Sequence, residues 1–453
     1  MHFTELVDLA SERLGGAVLE ANDEFFAPKE NLLKPANPIF IEGKYTDRGK
    51  WMDGWETRRR RTPGYDWCIV KLGLPGIPRG VVVDTAHFKG NYPQSCSLEA
   101  CDDLTAAQWT EILPESPLKG DCENLFSLDT PRRASHLRFK IYPDGGVARL
   151  RVHGEVHARL SYSAELDLAA IENGGVVIAS SDMFFGSRQN LIMPGSSHNM
   201  SDGWETRRRR GPGYDWVVIQ LGAPGAVHRV EVDTSHFKGN YPDSCSLEAC
   251  DAAGEPAAVI LPQIKLQPDT RHVFRDEIRQ AGPASYVRFA IFPDGGVSRL
   301  RLYGHRAAPS LAESELLACC GSQEWARRMK ESQPFLSGEK MFEAAARIWS
   351  ELAPSDWLQA FAAHPRIGES SPEQSGVIGA PPDLLTSLAA ANRAYEKRFG
   401  HIYIVCASGK TAAEMLAILE SRLSNDAATE LKVAAGQQNQ ITRLRLQKLL
   451  ETK

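Results

Sequence analysis

The sequence predicts a multidomain protein in which two tandem all-β domains, each a jelly roll or β-sandwich, are followed by an all-α domain. Three observations lead to this fold class: a long internal duplication, short strand-like segments in each copy, and a change to helical periodicity in the last third of the chain. The chain has 453 residues, too many for one compact core. The predicted domains are 1–165 for the first repeat, 166–308 for the second repeat and 309–453 for the all-α domain.

Several sequence blocks occur twice in the same order and establish the duplication. The block DGWETRRRR begins at Asp53 and again at Asp202, a shift of 149 positions, and PGYDW and DT-x-HFKGNYP follow in both copies at the same shift. The block PDGGV begins at Pro143 and at Pro293, after one inserted residue. Self-similarity of this length predicts two copies of one domain.

Each copy has the pattern of a β domain. Segments such as 137–142 and 149–154 are short, apolar or alternating, and separated by Gly, Pro and Asp clusters. The tetrapeptides Pro-Asp-Gly-Gly that begin at Pro143 and Pro293 lie between two such segments, which predicts hairpin turns. Many short strands at this spacing are typical of a β-sandwich or jelly roll.

The last third of the chain has helical periodicity instead. Apolar residues recur at a period of about 3.6 residues on two predicted helices, so each helix presents one apolar stripe. The first stripe comprises Met341, Phe342, Ala345, Ile348, Trp349 and Leu352, and the second comprises Met415, Leu416, Leu419 and Leu423. A separate all-α domain is therefore expected beyond a linker in 306–314.

The overall composition excludes several classes of partner. With 42% apolar residues, 24% charged residues and a net charge of −5, the chain has no bulk attraction to nucleic acid or to an anionic membrane. No apolar run approaches the roughly 20 residues of a membrane helix, and the opening segment is acidic where a signal peptide is basic. The nine cysteines, an odd number, fit a reducing compartment. We expect a cytoplasmic protein that acts on small molecules, with homo-oligomerisation left open.

The duplicated blocks resemble allantoicase. The resemblance rests on DGWETRRRR, PGYDW and DT-x-HFKGNYP in both copies and covers about residues 15–308. It implies a pair of jelly-roll domains that hydrolyse allantoate to ureidoglycolate and urea. The alternative is a pair of jelly rolls that bind a ligand without catalysis, a role that this architecture also has.

A site for allantoate needs groups that bind its carboxylate and groups that recognise its ureido arms. Guanidinium groups bind carboxylates in a bidentate manner, and amide or ammonium groups donate to ureido oxygens. The alternatives are that most arginines are solvated or pair with nearby acids, and that the Gly-Asn pairs are turns. The candidate substrate-binding residues of the repeats are Arg58, Arg60, Arg207, Arg209, Lys89, Lys238, Asn91 and Asn240.

Release of urea requires a proton for the leaving nitrogen and a base that activates water. Glu56 and Glu205 precede the arginine runs, whose charge is expected to keep these carboxylates ionised and able to act as bases. His87 and His236 occupy matched positions in the strongest block, and an imidazole titrates near neutrality. These four residues are the catalytic candidates of the repeats, and a structural role is the alternative for each histidine.

The repeats leave the question of a metal open. Asp84 with His87, or Asp233 with His236, offers two ligands to a divalent cation, whereas catalytic zinc sites usually have three protein ligands. We therefore assign no metal ligands and no certain cofactor, and a divalent metal in the repeats stays open.

The C-terminal third resembles the cofactor-free decarboxylase that converts 2-oxo-4-hydroxy-4-carboxy-5-ureidoimidazoline (OHCU) to allantoin. The resemblance covers about residues 310–453, and it rests on the motifs HPRIG at 364, SPEQ at 371, FG at 399 and ITRLRL at 441. It implies that His364 and Glu373 are catalytic, that Arg445 binds the substrate, and that OHCU is a second small-molecule substrate.

The positions of these residues are consistent with that set. The apolar spacing before His364 places it on a buried helix face, at the last helical position before Pro365. Glu373 falls in the first turn of a new helix, where stabilisation of the helix dipole is its alternative role. Arg445 lies on an apolar stripe and needs a partner there, either a substrate carboxylate or a neighbouring acid.

Overall fold

The computed structural model describes residues 2–106, 108–129, 131–158, 160–367 and 380–452. They form two compact units, of which the first is Met1–Leu160 with Leu166–Gly304 and the second is Ser161–Glu165 with His305–Lys453. The first unit contains both repeats and is built of strands, and the second is built of helices. The predicted fold class is confirmed.

The described residues of the two repeats form antiparallel strands in the same order. The strands of the first repeat are β1 (Val7–Asp8), β2 (Ala17–Ala21), β3 (Tyr45–Thr46), β4 (Gly49–Lys50), β5 (Trp55–Glu56), β6 (Asp66–Asp84), β7 (Ser95–Cys101), β8 (Thr110–Pro117), β9 (Glu123–Ser127), β10 (Ala134–Tyr142), β11 (Gly146–Val147) and β12 (Arg149–Val156). The strands of the second repeat are β13 (Glu165–Asp167), β14 (Val176–Ser180), β15 (Trp204–Glu205), β16 (Asp215–Asp233), β17 (Ser244–Cys250), β18 (Pro256–Lys265), β19 (Arg271–Phe274), β20 (Ala284–Phe292), β21 (Gly296–Val297) and β22 (Arg299–Arg306).

The long strand β6 organises the first repeat. Its first half pairs with β2 and β10, and its second half pairs with β12 and β9. The sheet continues from β10 to β7 and β8 and from β12 to β1. Strand β6 therefore pairs with two different groups of strands. The side chains that alternate along it contribute to a single apolar core. In the second repeat β16 pairs in the same way with β14, β20 and β19.

The DGWE block anchors each repeat internally. Trp55 and Trp204 are fully buried, and each indole N–H donates to a main-chain carbonyl at 2.8 Å. The aspartate that opens the block forms a buried ion pair, Arg149 with Asp53 at 2.7 Å in the first repeat and Arg299 with Asp202 at 3.0 Å in the second. Much of this motif is therefore structural.

The hairpin predicted at each Pro-Asp-Gly-Gly tetrapeptide is wrong. In the first repeat the strand before the tetrapeptide, β10, pairs with β6 and β7, whereas the strand after it, β12, pairs with β1 and the other half of β6. The tetrapeptide connects the two groups of strands. A local turn signal does not report which strands are neighbours, because a long third strand separates the two segments.

The described residues of the second unit form seven α-helices. They are α1 (Glu313–Cys320), α2 (Gln323–Glu331), α3 (Gly338–Glu351), α4 (Pro354–Ala362), α5 (Pro382–Phe399), α6 (Ala412–Arg422) and α7 (Ala427–Glu451). The first predicted stripe is buried on α3 and at its C-cap Leu352, and Met415 and Leu419 are buried on α6. No helix within the described residues is long and apolar enough to cross a membrane.

Helix α4 ends earlier than the sequence indicates. It ends at Ala362, so His364 lies two residues beyond it rather than at its last position. The His364 backbone N–H still donates to the Phe361 carbonyl at 3.0 Å, which keeps a tight turn. The residue before a proline avoids the helical region, and here the helix ends before that restriction applies.

Candidate functional sites

Three blocks of the first repeat meet around Glu56. Strand β5 pairs with β11, so that Glu56 lies opposite Gly146, and the Gly146 N–H donates to the Asn91 carbonyl at 2.7 Å. Gly145 has φ 140°, and a Cβ there would lie 2.8 Å from the Asn91 carbonyl oxygen. The Gly-Gly pair thus lets the connection approach the Asn91 loop closely.

His87 is held in an unusual backbone conformation. Its φ is 71°, and His236 in the second repeat has φ 72°. Positive φ is uncommon for residues other than glycine and persists where the surroundings enforce it. The His87 N–H donates to Asp121 Oδ1 at 2.8 Å, and its Nε2 lies 3.3 Å from the Pro38 carbonyl oxygen. These contacts fix both the backbone and the ring.

Glu56, His87, Lys89 and Asn91 line one cavity of about 470 Å³. This volume is typical of small-molecule sites. The Asn91 side-chain amide donates to Glu56 Oε1 at 2.7 Å. Burial raises the pKa of Glu56, and the hydrogen bond from Asn91 only partly offsets that effect. A carboxylate in this setting is a stronger base than a solvated one.

The expectation that the charge of the neighbouring arginines acts on Glu56 is wrong, because Arg58 and Arg60 pair elsewhere and the pKa of Glu56 is set by burial and by Asn91. Arg58 donates from Nε to Asp23 at 2.7 Å, and Arg60 donates from Nη2 to the buried Asp66 at 2.9 Å. Strand β5 ends at Glu56, so the arginine run that follows is not part of a strand.

The arginines of the second repeat follow the same pattern. Arg207 lies 3.6 Å from Asp182 and its guanidinium lies 4.3 Å from the Phe184 ring centroid. Arg209 pairs with Asp215. None of the four candidate arginines is among the described residues that line the cavity at Glu56. The four arginines pair with nearby acids, which is the alternative that the sequence analysis left open.

An insertion covers the cavity of the first repeat. Asn31 and Asn190 correspond, because each side chain donates to the main-chain carbonyl of the DGWE glycine, at 2.9 and 3.0 Å. Asn31 precedes Asp53 by 22 positions, whereas Asn190 precedes Asp202 by 12, so the first repeat has ten additional residues here.

This insertion contains strands β3 and β4 and supplies three cavity residues, Phe40, Lys50 and Met52. Lys50 Nζ lies 4.5 Å from the Phe40 ring centroid, and that ring lies 5.8 Å from the His87 ring. Sequence reasoning did not find these residues. The difference in length between otherwise matching copies was the available signal.

The second repeat has the corresponding glutamate–asparagine pair and lacks the ten additional residues. The Asn240 amide donates to Glu205 Oε1 at 2.5 Å, and the His236 N–H donates to Asp269 Oδ1 at 2.7 Å. His236 Nε2 lies 3.1 Å from the Ser197 carbonyl oxygen. The structure thus pairs Glu with Asn in both repeats, and in the first repeat it places His in the same cavity as this pair.

The two candidate lysines lie at the surface. Lys89 lies 3.7 Å from Asp121 and Lys238 lies 3.9 Å from Asp269, and each side chain is 79% exposed. Lys89 is at the rim of the first cavity. Within the described residues, no group of three or more His, Cys, Asp or Glu side chains is arranged to hold a metal ion.

In the helical unit His364 and Arg445 line one cleft. Arg445 Nη2 lies 3.5 Å from His364 Nδ1, and Nη1 donates to the Cys319 carbonyl at 3.4 Å. Residues 403–408 form one wall, and Lys448, which lies on α7 one turn beyond Arg445, also lines the cleft. Sequence reasoning missed Lys448, although its i+3 spacing from Arg445 was readable. Glu373 lies outside the described residues.

Comparison with known proteins divides the chain in the same place as the change from strands to helices. A family model described as the allantoicase repeat matches residues 7–157 and 166–307, and one described as OHCU decarboxylase matches 306–447. The chain is 50% identical over 316 residues to a probable allantoicase of Burkholderia mallei, covering 66% of this chain and 94% of that protein.

Two solved structures are also similar. The allantoicase of Saccharomyces cerevisiae is 39% identical, with a TM-score of 0.57, and the alignment covers 66% of this chain and 93% of that one. An OHCU decarboxylase crystallised in the presence of (S)-allantoin is 43% identical, with a TM-score of 0.30, over 31% of this chain and 99% of that one.

Proposed function

Because this chain belongs to the allantoicase family and carries an OHCU decarboxylase domain after its repeats, we propose that it hydrolyses allantoate in the first repeat and decarboxylates OHCU in the helical unit. One observation supports the choice of repeat. The cavity of the first repeat combines a carboxylate of raised pKa, an imidazole and an ammonium group under an insertion that the second repeat lacks.

Each group of this cavity has a defined role in the proposed hydrolysis. Lys50 and Lys89 attract the substrate carboxylate, and Asn91 holds Glu56 in position. A water oxygen attacks the carbon that bears both ureido groups while Glu56 takes the water proton. The bond from this carbon to one ureido nitrogen breaks, and that nitrogen takes a proton from His87. The products are urea and ureidoglycolate.

The apolar part of the cavity supports this chemistry. Phe26, Phe40 and Met52 line the same cavity as Glu56. A carboxylate with fewer water contacts holds a proton more strongly, which is the direction of its pKa shift. A general base of this kind contributes about 10²- to 10⁴-fold to a reaction rate.

Replacement of the two equivalent glutamates tests the assignment. Glu56→Gln keeps an oxygen that accepts from Asn91 and loses the base, so urea release should fall by about 10²- to 10⁴-fold with little change in thermal unfolding. Glu205→Gln is the matched control and should remain near the native rate. A loss confined to Glu205→Gln assigns the reaction to the second repeat. Absence of urea release by the native chain leaves the repeats as ligand-binding modules.

The proposed decarboxylase site is the cleft at His364. Arg445 and Lys448 place two positive charges on one face of α7, where a substrate carboxylate can bind. His364, next to Arg445, moves the proton that the carbon accepts after carbon dioxide leaves. The resemblance adds Glu373 to this set. The two reactions are not consecutive, because the ring of allantoin must be opened by a further hydrolysis before allantoate exists.

The wider setting of the proposal follows from composition. A cytoplasmic location and small-molecule substrates, with no nucleic-acid or membrane partner, fit the net charge of −5 and nine cysteines that are all free thiols. No step of either reaction is assigned to a cofactor.

A further inference from the structure

We infer that the second repeat carries a separate binding pocket for a small carboxylate that also bears ureido or amide N–H groups. The pocket has a volume of about 280 Å³ and is formed by β16, β19, β22 and the loop at Gly195. The ligand class rests on the proposed function, because both allantoate and ureidoglycolate are ureido carboxylates.

A buried guanidinium is among the residues that line this pocket. Arg299 is 3% exposed, and its Nη1 and Nη2 donate to Asp202 and to the Ser298 carbonyl. Its Nε is buried and has no hydrogen-bond acceptor in the described part of the chain. An unsatisfied donor on a buried charged group is unfavourable, so a ligand that brings an acceptor to this Nε is favoured.

The first repeat satisfies the equivalent donor internally. Arg149 Nε donates to the Ala36 carbonyl at 2.9 Å. In the second repeat the corresponding carbonyl belongs to Gly195, which has φ 65° and accepts from Arg301 Nη2 at 2.9 Å instead. In this loop conformation the Gly195 carbonyl is therefore not the acceptor of Arg299 Nε, which has no acceptor among the described residues.

The two copies also differ in charge at this position. Arg271 is paired in register with Asp233, where the first repeat pairs Glu123 with Asp84. Glu231, which is 4% exposed and accepts from Arg271 Nε at 3.0 Å, replaces a valine of the first repeat. The second repeat therefore has an arginine–glutamate pair on these strands, where the first repeat has a glutamate and a valine.

The charged residues of this pocket favour a ligand that has both hydrogen-bond donors and hydrogen-bond acceptors. The guanidinium groups of Arg299, Arg301 and Arg271 favour a carboxylate. Glu231 already accepts from Arg229 and Arg271. Asp233 is therefore the carboxylate that repels a simple inorganic anion and to which a ureido N–H group can donate. A ureido carboxylate satisfies both sets at once.

Calorimetry on the full chain tests the inference. The probe is carbamoylglycine, a stable carboxylate with one ureido group, and acetate and urea are the comparison ligands. We expect two carbamoylglycine sites in the repeats, and hydrogen exchange should show protection of the backbone at 194–199. Binding of acetate at 194–199 with equal affinity, or no protection of this loop by carbamoylglycine, overturns the inference.

A variant with the residues of the first repeat provides the matched test. Glu231→Val with Arg271→Glu should remove one of the two sites or weaken it at least about tenfold. Tyr303→Phe, which removes a pocket hydroxyl, is a milder second variant if the double variant unfolds. Unchanged affinity in a folded variant overturns the inference.

Urea release measured in parallel separates this inference from the proposed function. Loss of urea release in Tyr303→Phe, with the first-repeat variant Glu56→Gln still active, identifies the pocket as the hydrolytic site and overturns its separate role. Failure of the native chain to release urea concerns the proposed function alone, since the probe is not hydrolysed.

Discussion

Removal of the Asn91 side chain is a direct test of how Glu56 works. The Asn91 amide donates to Glu56 Oε1 at 2.7 Å and lowers the pKa of Glu56, against the larger effect of burial. Asn91→Ala should therefore raise the pKa of Glu56 further. Because the ionised carboxylate is the proposed base, the acidic limb of the rate profile should move to higher pH.

The size of the effect follows from this one contact. A hydrogen bond to a charged group contributes about 1.5–3 kcal/mol, and partial exposure of Glu56 favours the lower end of that range. A change of 1.4 kcal/mol is about tenfold, so kcat/KM for urea release should fall about tenfold on the acidic limb and little on the alkaline plateau. The Gly146 N–H bonds to the Asn91 main chain, so the local backbone should be retained.

The matched control is Asn240→Ala, which removes the corresponding contact to Glu205 in the second repeat. Measurement of kcat/KM from pH 5 to pH 9 (roughly the range in which enzymes of this kind remain folded) gives both limbs. A profile that does not move in Asn91→Ala, or one that moves equally in Asn240→Ala, refutes the assignment of Glu56 as the base.

Two further predictions concern cations that face the proposed substrates. Lys50→Ala should raise KM for allantoate roughly threefold to fivefold, which is the contribution of one partly exposed ion pair, with a smaller change in kcat. Lys44→Ala is the control, because Lys44 stacks on Trp51 in the same insertion. Equal effects of the two variants contradict a specific role of Lys50. Arg445→Ala should abolish OHCU decarboxylation while circular dichroism remains native, because the loss of an anion-binding arginine costs several kcal/mol. The neighbouring Arg443→Ala, at a side chain that is 55% exposed, should retain activity, and a folded, active Arg445→Ala chain refutes the proposed site.

The repeats and the helical region could be predicted because their signals are local and occur more than once. Turn clusters, alternating strands and a helical stripe depend on a few adjacent residues, and the duplication adds an independent copy of each. Glu56, His87 and Asn91, which were chosen because they recur in fixed blocks, line one cavity in the structure. Their roles remain predictions.

Long-range pairing was the part that sequence reasoning could not supply. Arg58 lies 35 positions from Asp23, with which it pairs, and the arginine run gives no indication of that partner. The same limit affects the Pro-Asp-Gly-Gly turns, because β10 and β12 bind different halves of β6. In each case the error was in the choice of neighbour and not in the type of local structure.

Duplication also explains why the two copies can hold different sites. The buried ion pairs of Asp53 and Asp202 maintain the same framework in both repeats, so changes at the loops leave the fold intact. The first repeat has ten additional residues over its Glu56 cavity, and the second has Arg271 and Glu231 at a different pocket. A framework present twice allows one copy to specialise in the reaction while the other binds a ligand of related chemistry, and the Glu56 and Tyr303 variants separate these two roles.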